Sequence, residues 1–148
     1  MKKEDLYARM MHTPDDPVRA ELRAALRDAW KQLMPLHRAL IDAASAEYAA
    51  TVAPVNGPTH LLALLQEEPF FEWLRPLTSI IVDLDTMSRT DFERSDVDAI
   101  AARLERHFGA SPDPGFTARY VPLLQRDIDV AVGHANIRKI LQRLLPSA

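Results

Sequence analysis

One stretch of the sequence decides the fold class: LRAALRDAWKQLMPLHRALIDAASAEY, residues 22–48. Its apolar positions recur in steps of three and four residues, the spacing of one face of an α-helix. The steps continue through Pro35 without losing phase. Before the stretch, Asp16 suits the N-cap and Pro17 the first helical position. The pattern predicts one long helix over residues 17–52. Its apolar stripe comprises Leu22, Leu26, Ala29, Leu33, Leu36, Leu40 and Ala44.

The proline of this helix belongs to a motif that occurs twice. The first copy, Leu-Met-Pro-Leu at residues 33–36, is followed by two aliphatic residues and Asp42. The second copy, Leu-Arg-Pro-Leu at residues 74–77, is followed by two aliphatic residues and Asp83. A proline inside a helix costs about 3 kcal/mol. Each copy must therefore bend its helix or open a site at the freed backbone carbonyl.

The angular positions of the prolines favour a bend. At about 100° per residue, Pro35 and Pro76 lie opposite the apolar stripes of their helices, and each aspartate lies near its proline. Carbonyls freed on that side, at Lys31 and Glu72, can bond to water. We therefore expect two long proline-kinked helices, over residues 17–52 and 69–88, that bend around a common core. A ligand pocket at the freed carbonyls is the less favoured alternative.

The same periodicity predicts further helices, and no segment has the pattern of a strand. They cover residues 5–12, 59–67, 95–109, 116–126 and 130–144, with Ser95 or Asp96 as the N-cap of the third. Polar and proline-containing breaks separate them, and a step is expected at Asp127. The sequence predicts an all-α fold, a single-domain helical bundle covering residues 1–148.

Composition excludes several classes of protein. The 18 basic and 21 acidic residues give a net charge of -3, so no bulk attraction to nucleic acid or anionic lipid is expected. The chain has no cysteine, which excludes disulfides, thiolate zinc sites and thiol nucleophiles. The N-terminus turns acidic at Glu4 and Asp5 and lacks an apolar signal core, and no apolar run approaches the ~18 residues of a membrane span. We expect a cytoplasmic protein, and the alanine, leucine and arginine content suggests a bacterial source.

No catalytic or metal-binding motif is present. The four glycines are too far apart for a phosphate-binding loop. Neither Glu-x-x-His nor His-Glu-x-x-His occurs, and the acidic run at residues 83–98 lacks the glycine and final glutamate of an EF-hand loop. We therefore predict no catalytic residue, no metal ligand and no cofactor, and enzymatic activity is not favoured. A helix-turn-helix over residues 101–126 is a weak match, because its break is longer than the usual turn.

One flank of the long helix suggests a ligand pocket. His37 shares this flank with Trp30 and Tyr48, which widens the apolar face. A histidine there can bind a ligand or metal, so Trp30, His37 and Tyr48 are the candidate pocket residues. The favoured alternative is a core histidine that bonds to Tyr48 or to a backbone carbonyl. His134, on the stripe of the last helix, has the same two interpretations.

The remaining histidines lie near predicted helix ends or loops. His12, His60 and His107 are therefore interpreted as solvated or capping groups.

Three aromatic residues follow Pro69 closely. Phe70 and Trp73 lie on or beside the predicted apolar stripe, whereas Phe71 points elsewhere, toward another helix or a partner subunit. Most such aromatics belong to the core, but an aromatic excess is also typical of interfaces. Phe70, Phe71 and Trp73 are therefore the candidate interface residues.

These patterns favour a non-catalytic interaction or regulatory module that binds a protein partner or self-associates, for example as a homodimer. The alternative is a helical ligand- or metal-binding sensor that uses the pocket near His37. The third choice is a DNA-binding regulator.

Overall fold

The computed structural model describes residues 15–146 of the 148-residue chain. This range contains α-helices and one 3₁₀-helix and no strand, which confirms the predicted all-α class. The helices are α1 (Pro17–Thr51), α2 (Pro58–Glu67), the 3₁₀-helix (Pro69–Leu74), α3 (Arg75–Arg89), α4 (Arg94–Phe108), α5 (Pro114–Arg126) and α6 (Ile128–Leu144). The helix predicted over residues 5–12 and the residue His12 lie outside the described range. Within it, no helix is long and apolar enough to cross a bilayer.

The long helix α1 is the centre of the fold and packs mainly against α6 and α3. It begins as predicted, because the Asp16 carboxylate accepts the Arg19 backbone N–H at 2.7 Å and Pro17 follows. The whole predicted apolar stripe is buried. Pro35 and Asp42 are exposed, as their angular positions predicted. The bend at Pro35 stays a prediction.

The second copy of the proline motif is not a kinked helix, and this prediction was wrong. The segment divides into the 3₁₀-helix and α3. Pro76 lies in the first turn of α3. Backbone N–H groups in this turn form no hydrogen bond within the helix, so the missing N–H of a proline costs nothing there. The Arg75 N–H donates to the Glu72 carbonyl that was expected to be free. Apolar steps of three and four residues do not distinguish a short 3₁₀-helix from an α-helix, which explains the error.

Arginine side chains cap the C-terminal ends of three helices. Arg75 donates to the last carbonyls of α2 at 2.9 and 3.0 Å. Arg23 donates to carbonyls at the end of α3, and Arg94 donates to the Leu144 carbonyl of α6 at 2.6 Å. Among the described residues, only Gly57 has a positive φ, so no helix ends in the common left-handed glycine cap. Guanidinium groups bond the free carbonyls instead.

Two helix starts show how local sequence sets the element bounds. The N-cap of α4 is Glu93, which exchanges hydrogen bonds with Asp96 in a capping box. The predicted cap at Ser95 or Asp96 was therefore placed too late, although Asp96 does belong to the cap. Asp127 accepts the backbone N–H groups of Asp129 and Val130 and starts α6, which confirms the predicted step.

The core has two parts of different composition. The aliphatic core is the region where α1 packs on α3 and α6, and it includes Leu26, Leu33, Leu77, Leu84 and Ile137, all below 2% exposed. The aromatic cluster lies around α5, the end of α4 and the 3₁₀-helix. It comprises Phe70, Phe71, Trp73, His107, Phe108, Phe116, Tyr120 and His134.

Candidate functional site

The structure does not bring the three predicted pocket residues together. His37 is half-buried, and its Nε2 atom lies 2.9 Å from the hydroxyl of Thr78 on α3. Tyr48 is buried with its ring 5.4 Å from the ring of Phe70. Trp30 packs against the core. His37 thus joins α1 to α3 through Thr78, and not through the predicted Tyr48 or a backbone carbonyl. Burial lowers the pKa of His37, so its imidazole stays neutral near pH 7.

The predicted interface residues separate into two environments. Phe71 is 0% exposed, and the rings of Tyr48 and Phe70 both lie 5.4 Å from it. Its ring therefore meets another helix, which was one of the two expected alternatives, and offers no surface to a partner. Phe70 and Trp73 are half-buried and line a cavity.

The first cavity lies between the 3₁₀-helix, the end of α4 and the start of α5. Its volume is about 560 Å³, within the usual range of small-molecule sites. The 3₁₀-helix places Phe70 and Trp73 on one side, because residues three apart are aligned in this element. Phe116 enters from α5, whose start is capped when the Asp113 carboxylate accepts the Phe116 N–H at 3.1 Å. Local chain geometry thus gives the cavity three aromatic walls.

The side chain of Arg119 lies against these aromatic walls. Its Cζ atom is 4.6 Å from the ring centroid of Phe70 and 5.8 Å from that of Trp73, which is cation–π geometry. The Arg119 Nη2 atom is 3.8 Å from a carboxylate oxygen of Glu47, beyond hydrogen-bonding distance. Rings, more than any anion, therefore hold this guanidinium in place.

Two donors at this wall are buried without a hydrogen-bond partner among the described residues. They are Nη2 of Arg119 and Nε1 of Trp73. A buried polar group left unpaired costs about 1–3 kcal/mol. Such groups are rare in native structures and often mark places where another molecule binds.

A second cavity of about 600 Å³ lies between α1 and α5. Glu47 and Ala43 line it from α1, and Pro122 and Arg126 line it from α5. Trp73 and Arg119 line both cavities, so the two cavities meet at these side chains. The unpaired donors thus belong to the residues that the cavities share.

His107 lies in the wall of the first cavity and is only 8% exposed, which contradicts the first of its two expected roles, a solvated or a capping group. Its Nδ1 atom is 2.9 Å from the Arg103 carbonyl, and its ring meets Phe116 edge-on at 4.6 Å. Burial lowers the pKa of His107, and the charges of Arg103 and Arg106 lower it further. The hydrogen bond to the Arg103 carbonyl and the charge of Asp113 partly offset this by raising it. The sequence held a signal for this burial, because His107 follows Leu104 by three residues on the apolar face of α4.

The other histidines have structural partners. Nδ1 of His134 lies 3.0 Å from the Tyr120 hydroxyl within the aromatic cluster. Burial lowers the pKa of His134 and raises the pKa of Tyr120 above its usual range. The Asn56 N–H donates to Nδ1 of His60 before α2, which confirms the predicted capping role of His60.

Metal chemistry has no support in the range 15–146, where no three side chains of His, Asp or Glu are close enough to hold an ion. Comparison of the chain with protein-family models, curated proteins and solved structures found no match in any of the three. The site is therefore interpreted from its own geometry.

Sequence patterns identified Phe70 and Trp73 but missed Arg119, Arg106 and Phe116. An arginine between Phe116 and Tyr120 gives no signal in itself, because arginines are frequent in this chain. The arrangement offers aromatic surfaces and a guanidinium to a molecule that enters the first cavity.

Proposed function

We propose that this protein is a small non-catalytic regulatory module that binds a small organic molecule in the first cavity. One observation carries the proposal: a cavity of about 560 Å³ has aromatic walls, and two of the residues in its wall, Trp73 and Arg119, each carry a buried donor that lacks a hydrogen-bond partner. Ligand sites are mostly apolar with a few well-placed polar groups, and this cavity has that composition.

The polar side chains in the wall suit binding better than proton transfer. His107 bonds to a backbone carbonyl and packs edge-on against Phe116. The carboxylate of Asp113 is engaged as the N-cap of α5. The imidazole of His107 and the carboxylate of Asp113 are therefore both engaged in structural hydrogen bonds.

Cellular location and assembly form part of the same proposal. A chain without cysteine suits a reducing bacterial cytoplasm. Self-association and binding of a protein partner stay predictions. The large apolar side chains with the most exposed surface, among them Val18, Leu62, Val82 and Ile128, are distributed over several helices. Any partner surface therefore differs from the buried Phe71 site that the sequence suggested.

The indole N–H groups of the two tryptophans test the proposal. Uniformly ¹⁵N-labelled protein is titrated with 2-naphthamide, a neutral planar probe, while ¹H–¹⁵N spectra are recorded. Trp30 packs against the core away from both cavities, and a Trp30→Phe variant assigns the two indole signals. We expect a saturable shift of the Trp73 signal and nuclear Overhauser effects between the naphthyl protons and the Phe116 ring, with the Trp30 signal unchanged.

An absence of any shift up to the solubility limit of the probe, or equal shifts of both indole signals, contradicts binding in this cavity. Millimolar affinity suffices to support it, because the probe is a generic ring and not the natural ligand.

A further inference from the structure

Arg119 differs from four other arginines of the fold in what its guanidinium contacts. Arg23, Arg75 and Arg94 bond to backbone carbonyls, and Arg103 bonds to a carboxylate oxygen of Asp83. Arg119 instead stacks on rings, and its nearest carboxylate stays at 3.8 Å. A guanidinium that rings hold in place, with no carboxylate at hydrogen-bonding distance, is preorganised for an anion that comes from outside the fold.

We propose that the ligand of the first cavity is a planar or aromatic carboxylate whose carboxylate group binds Arg119. This inference rests on the proposed function and adds the chemical class of the ligand. The guanidinium is a planar fork that matches a carboxylate with two parallel hydrogen bonds. A neutral ligand of the same shape offers Arg119 no anion, and the only carboxylate near it among the described residues lies too far away for a hydrogen bond.

The apolar part of the ligand lies against the aromatic walls. Phe70 and Trp73 already hold Arg119 from one side, and Phe116 faces the cavity from α5. Phe116 in turn is packed between His107 and Tyr120, with ring centroids at 4.6 and 4.7 Å. This support keeps the Phe116 ring in place, so a planar group can stack on it or meet its edge.

Charges around the cavity favour a single negative charge on the ligand. Arg106 is a second cation in the wall, and burial keeps His107 neutral. Two carboxylates, of Glu72 and Asp113, also line the cavity, and the Asp113 carboxylate caps α5. A monocarboxylate at Arg119 is therefore compatible with its surroundings, whereas a multiply charged anion meets repulsion from both acids.

Glu47 is the internal competitor for the ligand. Its side chain is 52% exposed and reaches Arg119 from the second cavity, at a distance too long for a hydrogen bond. A carboxylate in the first cavity can approach the guanidinium more closely than Glu47 does and replace Glu47 as its ion-pair partner. Removing the charge of Glu47 should thus strengthen ligand binding, the opposite of what removal of a ligand-binding residue does.

The test compares two probes that differ in charge. The affinities of 2-naphthoate, which is ionised at neutral pH, and of the neutral 2-naphthamide are measured by the shift of the Trp73 indole signal. We expect the carboxylate to bind wild-type protein about tenfold more tightly than the amide, since only the carboxylate forms charge-assisted hydrogen bonds with the Arg119 guanidinium. Arg119→Gln should abolish this preference and leave the affinity for the amide within about twofold.

Two further variants separate a binding role of Arg119 from a structural one. Glu47→Gln should raise the affinity for naphthoate about threefold and leave that for naphthamide unchanged, because only the anion competes with Glu47. Arg27→Gln removes one charge from an exposed position of α1 and should leave both affinities unchanged. Because Glu47 is exposed, its variant keeps the inference testable even if Arg119→Gln does not fold.

The outcomes distinguish the inference from the proposed function. Equal affinities of acid and amide for the wild-type protein overturn the carboxylate assignment and leave a neutral-ligand site standing. A naphthoate preference that persists in Arg119→Gln, or weaker naphthoate binding in Glu47→Gln, also overturns it. Failure of both probes to bind overturns the proposed function itself.

Discussion

The aliphatic core and the aromatic cluster differ in the side chains that they bury and in the polar atoms that they leave without partners. Where α1 meets α3 and α6, branched aliphatic side chains are fully buried, and they need no hydrogen-bond partner because they have no polar atoms. Around α5 the chain instead packs rings, imidazoles and a guanidinium, and it leaves two cavities and two buried unpaired donors. Buried donors without partners cost stability and often mark places where another molecule binds. The proposed binding site therefore lies in the aromatic cluster and not in the aliphatic core.

The largest expected effect tests the stabilising role of the aliphatic core. Leu33 is 0% exposed at the middle of α1. Leu33→Ala should lower the free energy of unfolding by about 2–5 kcal/mol, because it removes buried methyl groups and leaves a cavity. Urea unfolding followed by circular dichroism measures the loss. The control is Val18→Ala at a position that is 71% exposed, where the change should stay within about 0.5 kcal/mol. Similar losses in both variants would place the main source of stability elsewhere.

A smaller effect tests whether the hydrogen bond between Tyr120 and His134 in the aromatic cluster stabilises the fold. Tyr120→Phe removes the hydroxyl that lies 3.0 Å from Nδ1 of His134 and keeps the ring. We expect a loss of about 1 kcal/mol, the usual net value of such a bond. The same substitution in a His134→Phe background should cost markedly less, because the partner is already absent. A Tyr120→Phe penalty that is equal in both backgrounds shows that the hydroxyl acts through something other than His134.

The smallest expected effect concerns pH and also separates the two regions. Burial lowers the pKa of three histidines: His37 between α1 and α3, and His107 and His134 in the aromatic cluster. The unfolded chain keeps the ordinary histidine pKa of about 6.5, so it binds more protons than the folded chain below that pH. Their contribution to stability is therefore complete above pH ~6.5 and declines as the pH falls from there through the lowered folded-state pKa values.

Histidine variants locate the source of this decline. The double variant His107→Gln, His134→Gln should flatten the stability profile between pH 8 and pH 5 more than His37→Gln does, because two of the three buried imidazoles lie in the aromatic cluster. Urea unfolding at each pH measures the profile, and the dependence of stability on urea should not change between variants. If stability depends more steeply on pH in the double variant, or if His37→Gln flattens the profile more than the double variant does, the aromatic cluster is not the main source of the pH dependence.

Local sequence predicted those parts of the fold that depend on residues within four positions of one another. The stripe of α1, the Asp16 cap and the exposed Pro35 were all readable, because helical periodicity and capping act over single turns. The segment 69–88 was misread for a physical reason: its apolar steps fit a 3₁₀-helix followed by an α-helix equally well.

The candidate site was less predictable than the fold. Phe70 and Trp73 were recognised as unusual, although for a different role, and His107 was misplaced in spite of its helical phase. Trp30, His37 and Tyr48 share a flank of α1 in the sequence pattern, yet in the structure His37 contacts α3 and Tyr48 contacts the 3₁₀-helix. A shared helical face does not make a shared site, since the neighbouring helices divide that face among themselves.

The sequence by itself determined that this protein is helical, where its longest helix begins, and that its prolines lie outside the core. These features follow from backbone hydrogen bonds and apolar periodicity within each segment. Only the tertiary structure decided that Arg119 stacks on rings far away in the chain and that its Nη2 atom and the Trp73 indole stay unpaired. Pairing of a side chain depends on which elements meet around it, and no local pattern records that.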